Sequence, residues 1–310
     1  MIAFPPKLSH RRGTLVAVCA AFALILVPVW TAESQALMAN SYDWQLADIH
    51  ADVPGHAGIS FFNLLKQVVP DLAENENSAT GRSREPFRHI VDGYGGDLPD
   101  RIAISSLQVT TFMVAGEARI AILADIGQLE TTIEQPALLA VFDGGESPKL
   151  IDAVDVGMDR DTSFALPALV NIGRSDQALV IRSYHFNSSE SFETTAMIFL
   201  QGRELELVDT FSTYAIRTCS EQMTQVVKFA EQSADDVSAY SEILATIEER
   251  RSGFQGNCND EIVAKPISEI ASVVYRWNAE LDNFIAVSDT LERFETQAAE
   301  RMSAPLSTPE

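Results

Sequence analysis

Short apolar segments separated by turn residues fill the chain from Ile102 to Ile216, and this pattern constrains the fold more than any other feature. The segments are rich in β-branched and aromatic residues, which favour strands. Turns are indicated at Gly116-Glu117, Gly144-Gly145 and Gly202-Arg203. No long helical pattern intervenes, so a parallel βαβ sheet is excluded. The sequence predicts a mainly β protein whose antiparallel hairpins form a sandwich or an open, barrel-like meander. The smallest propellers need roughly sixteen strands, more than the pattern contains.

Two short helices are predicted, one at each end of the mature chain. The segment 59–69 has apolar residues on one helical face and is followed by Pro70. The second runs from about Ser288 to Arg301, since Asp289 and Glu292 fit a capping box. These helices have apolar faces formed by Phe61, Leu64, Leu65 and Val68 in the first, and by Leu291, Phe294 and Ala298 in the second.

The stretch 222–250 fits two patterns. Apolar residues at helical spacing in "AYSEILATIEERR" are typical of a helix, while Ile243, Ala245 and Ile247 also alternate as a strand would. The β-rich segment "ISEIASVVYRWN", the turn "NAELDN" and the segment "FIAV" follow. Because these predict strand, turn and strand, we expect the preceding stretch to be a partner strand.

Residues 1–36 have the pattern of an export signal. Basic residues precede a continuous small and apolar run from Thr14 to Val27, and Ser34-Gln35-Ala36 supplies small residues at the cleavage positions. The alternative is an uncleaved anchor, because Thr14 to Trp30 is nearly long enough to span a bilayer. The predicted organisation is a signal peptide (1–36), an N-terminal segment with a short helix and a polar loop (37–100), and an antiparallel β domain (101–310). The predicted location is periplasmic or secreted.

Cleavage after Ala36 makes Leu37 the first residue of the mature protein. Ser34 and Ala36 are the well-placed small pair after the apolar run, and the peptidase recognises that spacing. Intact-mass measurement of the exported protein is expected to show the loss of residues 1–36. A mass that retains them would establish the anchor instead.

The chain is strongly acidic, with a formal net charge of −22. Removal of residues 1–36 would leave 19 basic and 43 acidic residues, a net charge of −24. Such a surface repels nucleic acid and anionic lipid headgroups, so neither is an expected partner, and no membrane contact is expected after signal cleavage. An envelope protein or a basic partner remains compatible with this charge. Plain solubility also explains it.

Two cysteines, Cys219 and Cys258, remain after export. An oxidising compartment favours a disulfide between them. Their spacing is too wide for a CxxC redox motif, and no histidine follows Cys219 to complete a zinc site. We therefore predict a Cys219–Cys258 disulfide, which closes one loop of the β domain.

The segment "DAVDVGMDRD" provides the candidate metal ligands Asp155, Asp159 and Asp161. Calcium binds clustered oxygen atoms, and Asp159 and Asp161 are spaced as at the start of a calcium loop. The central glycine and the closing glutamate of an EF-hand are missing. A solvated acidic strand end is the competing interpretation. No other cofactor is predicted.

The stretch "YHFNSSESF" places His185 beside three serines. Asn and Ser favour turns because their side chains bond to nearby backbone groups, and no serine lies in a GxSxG elbow. We interpret "NSSES" as a hairpin turn and predict no catalytic residue here.

Three parts of the chain, "LIDAVDVGMDRDTSF", "YHFNSSESF" and "VVYRWN" with "FIAVSDTLERF", resemble segments of secreted bacterial β proteins that have no assigned function. The resemblance implies strands and an envelope location, and it transfers no functional residue. The leading hypothesis is a non-enzymatic envelope or secreted binding protein. The alternative is a hydrolase that uses paired carboxylates on a cell-wall or extracellular glycan.

Overall fold

The fold is mainly antiparallel β, as the sequence predicts. The computed structural model describes residues 44–75, 78–82, 88–92, 98–127, 135–218, 221–232, 239–253 and 266–303. The strands are β1 (Gln45–Ala47), β2 (Asp52–Val53), β3 (His56–Ser60), β4 (Ala73–Asn75), β5 (Ser78–Gly81), β6 (Arg88–His89), β7 (Ile102–Ile104), β8 (Leu107–Val114), β9 (Glu117–Asp125), β10 (Ala137–Asp143), β11 (Leu150–Asp155), β12 (Asp161–Asn171), β13 (Gln177–Phe186), β14 (Glu190–Gln201), β15 (Glu204–Arg217), β16 (Glu221–Gln232), β17 (Glu242–Gly253), β18 (Ile267–Asn278) and β19 (Asn283–Ala286). The helices are α1 (Phe61–Leu65) and α2 (Thr290–Ser303).

A six-stranded sheet has the order β1-β8-β9-β10-β11-β6. Its pairs are antiparallel except β11 with β6, which is parallel. The hairpin between β8 and β9 turns at Ala115 and Gly116, which have φ angles of 52° and 77°. Two successive residues with positive φ are typical of the tight turn that matches the twist of a hairpin.

An eight-stranded sheet runs in chain order from β12 to β19. Within the stretch 222–250, residues 222–232 belong to β16 and residues 242–250 to β17, and the ladder between these strands runs from the pair Glu221–Gly253 to the pair Gln232–Glu242. The expected partner strand is therefore present as β17, which pairs with β16 on one side and β18 on the other. Within the described residues, neither large sheet closes into a barrel.

The N-terminal segment contains two small sheets, β2-β3 and β4-β5-β7, together with α1. The helix is shorter than the predicted 59–69, because residues up to Ser60 belong to β3. Ser60 caps it, and the Ser60 and Asn63 side chains form a capping box. The predicted apolar face is correct, since Phe61, Leu64 and Leu65 are buried.

The buried apolar residues form three clusters, which lie between the sheets or inside the curl of the eight-stranded sheet. Alternate residues of β9 point to two of them: Ile120, Ile122 and Ala124 pack with the N-terminal segment, whereas Ala121 and Leu123 pack with the eight-stranded sheet. Burial on both faces explains why this strand is a continuous apolar run. Residues on both sides of the predicted boundary near residue 100 share the first cluster.

The third cluster lies inside the eight-stranded sheet, which curls on itself. Residues of β13 and β14 such as Val180 and Phe199 contact the same cluster as Ile247 and Val273 from β17 and β18. The helix α2 begins at Thr290, close to the predicted start. All three residues of its predicted apolar face are buried or half-buried, namely Leu291, Phe294 and Ala298.

No helix in the described part of the chain is long and apolar enough to cross a membrane.

Candidate ligand-binding cleft

A polar cleft of about 230 Å³ lies where the edge strand β12 approaches the six-stranded sheet. Both large sheets contribute to it, so its walls are held by strands on either side. Its volume is below the roughly 300–1,000 Å³ of drug-sized sites. The cleft therefore suits a ligand of about monosaccharide or amino-acid size. The lining residues are Ser106, Gln108, Leu123, Asp125, Gln135, Pro136, Ala137, Arg160, Asp161, Thr162, Ser163 and Tyr184.

Arg160 and Asp161 belong to a segment of the cleft wall that Asp155 anchors through hydrogen bonds. Asp155 is buried at the end of β11. One carboxylate oxygen of Asp155 accepts hydrogen bonds from the backbone N–H groups of Ala137 and Gly157, both at 2.9 Å. A Cβ atom at Gly157 would lie 2.1 Å from the Gln135 carbonyl oxygen, so only glycine fits. The segment 155–161 is thus fastened to the start of β10.

The cleft contains charges of both signs. Its lining includes the basic residue Arg160 and the acidic residues Asp125 and Asp161. Asp125 also accepts the Gly127 N–H at 2.8 Å, and this bond orients its side chain. A ligand that bears hydroxyl groups, or both an amine and an acid, would find complementary partners here.

The Tyr184 ring is supported by the side chain of Arg182. The Arg182 guanidinium lies 5.4 Å from the centre of the Tyr184 ring, a cation–π contact. It also donates to the Ser163 hydroxyl at 3.2 Å and pairs with Glu193 at 3.5 Å. Three side chains of adjacent strands, Arg182, Ser163 and Glu193, therefore support the aromatic wall of the cleft.

His185 pairs with Asp159 through its Nδ1 atom, and its ring stacks on Phe192 with centroids 5.0 Å apart. The predicted hairpin turn is present between β13 and β14. The Asn187 side-chain oxygen accepts the N–H groups of Ser189 and Glu190, each at 2.9 Å. His185 thus has structural partners, as expected for a strand residue next to a turn.

The three candidate calcium ligands have different surroundings. Asp155 is buried and accepts backbone N–H groups, Asp159 pairs with His185, and Asp161 lines the cleft. The described part of the chain contains no group of three or more His, Cys, Asp or Glu side chains placed to hold a metal ion. The calcium hypothesis gains no support from this arrangement.

A second polar cluster lies between α2 and the sheet. Glu295 accepts the Ser212 backbone N–H at 3.0 Å, and Tyr275 donates to Asp209 nearby. Burial raises the pKa of Glu295 to about 7, and the negative charges of Asp209 and Glu292 act in the same direction. Burial and the bond to Asp209 raise the pKa of Tyr275.

Glu295 is expected to make the protein less stable as the pH rises from about 4.5 to about 7. Its pKa is higher in the folded state, so protonation favours folding, and this contribution is lost when the carboxyl ionises. In Glu295→Gln the amide still accepts the Ser212 N–H but does not titrate. Between about pH 5 and pH 8, the wild type should lose on the order of 1–2 kcal/mol more unfolding free energy than the variant, after a reduction for partial exposure.

Urea unfolding at the two pH values measures this difference. Glu292→Gln, on the exposed side of the same helix, is the matched control and should keep most of the wild-type pH dependence. A Glu295→Gln variant with the full wild-type pH dependence would contradict the assignment.

Sequence reasoning identified Asp161 as a candidate site residue but not Asp125, Gln135 or Arg160. Asp125 ends β9, Gln135 precedes β10 and Arg160 precedes β12, and no spacing in the chain indicates that these residues meet. The separation of 26 positions between Asp159 and His185 likewise makes that pair impossible to recognise from the sequence.

Comparisons with protein-family models, curated proteins and solved structures found no match to this chain.

Proposed function

We propose that this chain is an exported, periplasmic or secreted protein that binds a small polar ligand in the cleft without transforming it. The observation that carries the proposal is the cleft itself, which is lined by Asp161 and Tyr184 of the eight-stranded sheet, by Asp125 of the six-stranded sheet, and by Arg160, the residue before β12. Side chains on paired strands need little reordering when a ligand binds. The apolar run 14–27 and the negative net charge support the location.

The ligand class can be tested by thermal shift and titration calorimetry with monosaccharides, amino acids and soluble peptidoglycan fragments as probes. We expect at least one probe to raise the melting temperature of the mature protein. Arg160→Gln and Asp161→Asn should weaken its binding by about tenfold or more, since each removes a charged partner. Arg174→Gln, an exposed arginine outside the cleft, should bind as the wild type does.

Two outcomes would contradict the proposal that the cleft binds a ligand. In one, no probe stabilises the protein. In the other, a probe stabilises the wild type and the cleft variants equally.

A hydrolase is the second candidate, because Asp125 and Asp161 line one cleft. Glycoside hydrolysis needs two carboxylates on opposite sides of the scissile bond. If the binding proposal holds, chromogenic glycosides and peptidoglycan fragments will be recovered unchanged. Product formation that both Asp125→Asn and Asp161→Asn abolish would establish the hydrolase.

A further inference from the structure

The outer face of β16–β19, opposite the apolar cluster inside the curl, carries a row of apolar side chains that crosses the strands. In the register, Ala230 of β16 pairs with Leu244 of β17, and Leu244 pairs with Val274 of β18. The Val287 N–H donates to the Val274 carbonyl at 2.9 Å and continues the row past β19. We call Ala230, Leu244, Val274 and Val287 the outer row.

The outer row belongs to the solvent side of the sheet. Along β17, Ile243, Ala245 and Ile247 are fully buried, whereas Leu244 between them points to the opposite face. Two apolar side chains of this face are widely exposed: Val287 in the row at 51%, and Ile270, four residues from Val274 along β18, at 65%. The outer face carries four of the nine exposed large apolar residues in the described part of the chain, namely Val226, Ile270, Ile285 and Val287. Such a concentration marks an interaction surface.

Charged residues border the outer row on both sides. On one side, Lys228 and Arg250 pair with Glu248 at 2.8 and 3.3 Å. On the other, Arg276 pairs with Glu242 at 2.6 Å. The face therefore carries three basic and two acidic side chains on a chain whose net charge is −22. A second copy can approach this face without the repulsion that an acidic surface would impose.

We infer that the outer face of β16–β19 binds the same face of a second copy of this chain, with the two-fold axis along the outer row. Lys228 lies two residues from Ala230, and Glu242 lies two residues from Leu244 in the opposite direction across the row. A two-fold rotation about the row brings these two sides together. Glu242 of one copy then lies near Lys228 of the other, and the contact occurs twice.

The size of the face indicates a weak dimer. Four strands spaced by about 4.8 Å, with a paired length of about 30 Å, give a face of roughly 600 Å² per copy. Two such faces bury roughly 1,200 Å², the lower limit of specific interfaces. We therefore expect micromolar affinity. The cleft lies on other strands, so the dimer and the proposed ligand site are independent.

Sedimentation equilibrium of the mature protein between about 1 and 100 µM tests the dimer. The average mass should rise with concentration from one chain toward two. Ile270→Asp should raise the dissociation constant by about tenfold or more, because it replaces a widely exposed apolar side chain of the outer face with a charge that the dimer would bury. The matched control is Leu46→Asp, an equally exposed apolar residue of β1 that should dimerise as the wild type does.

A charge-swap experiment tests the two-fold arrangement. Lys228→Glu and Glu242→Lys should each weaken self-association, because like charges then face each other. A mixture of the two variants should associate better than either alone, since every contact is again between opposite charges. Circular dichroism and melting temperatures verify that each variant is folded.

A wild-type protein that stays monomeric up to about 100 µM would overturn the inference. It would also be overturned by a dimer that Ile270→Asp leaves intact, or by a mixture that associates no better than its components.

Discussion

Asp155→Ala is expected to lower the free energy of unfolding by about 2–4 kcal/mol. The side chain of Asp155 is 6% exposed, and its Oδ1 atom accepts the N–H groups of Ala137 and Gly157. Alanine leaves both donors without this acceptor in a buried place, and each unsatisfied donor costs about 1–3 kcal/mol. Urea unfolding at neutral pH measures the change.

Two controls separate the hydrogen bonds from other effects. Asp155→Asn keeps an acceptor of nearly the same shape and should cost less than half as much as alanine. Asp48→Ala removes an exposed carboxylate that accepts one backbone N–H, from His50 at 2.8 Å, and should cost less than about 1 kcal/mol. Equal destabilisation by alanine and asparagine at Asp155 would show that the two hydrogen bonds are not responsible.

The same substitution should also affect the cleft. Asp155 fastens the segment that carries Arg160 and Asp161, so a folded Asp155→Ala protein is expected to bind the cleft ligand more weakly than Asp155→Asn. A binding constant equal to that of the wild type would show that ligand binding does not depend on the way Asp155 holds this segment.

Reduction of the predicted Cys219–Cys258 disulfide is expected to destabilise the mature protein by a few kcal/mol. Both cysteines lie outside the described residues, so the bond stays a prediction. The described strand ends are informative: Glu221, two residues after Cys219, pairs with Gly253, five residues before Cys258, so both strand ends lie at the same end of the sheet. A bond that closes a loop of about 40 residues contributes roughly 4 kcal/mol in the loop-entropy model.

Thiol titration of the unfolded, unreduced monomer tests the bond directly. No reactive thiol is expected in the mature protein, and reduction should release two. Urea unfolding with and without reductant then gives the energetic contribution, and a Cys219→Ser, Cys258→Ser double variant should unfold like the reduced protein and ignore reductant. Two reactive thiols before reduction would refute the bridge. A dimer on a non-reducing gel would instead show a bond between two chains.

Local patterns predicted the secondary structure well. Turn residues and alternating apolar residues identified the hairpin at Gly202-Arg203 and the turn at "NSSES", because these depend on interactions between neighbours in the chain. The C-terminal helix was predicted for the same reason, within two residues of its observed start. The stretch 222–250 was harder, since its apolar residues fit both periods and only pairing with β18 selects the strand.

The residues of the cleft could not be grouped from the sequence. Asp125 ends β9, whereas Asp161 begins β12 directly after Arg160, and these residues come together only when the two sheets stack. The sequence grouped Asp155, Asp159 and Asp161 because they are close in the chain. Their side chains instead have a buried backbone contact, a histidine partner and a place on the cleft wall.

By itself, the sequence determined the strands from Ile102 onward, their hairpin turns, the two helical segments and the large negative charge of this protein, but not the short strands β1 to β6. These follow from the conformational preferences and charges of residues within a few positions of each other. Only the tertiary structure decided that the eight-stranded sheet curls around its own apolar cluster, that β9 is buried on both faces, and that one cleft joins Asp125 to Arg160. Such contacts depend on which faces of distant strands meet, and many stacking arrangements of the same strands satisfy the same local preferences.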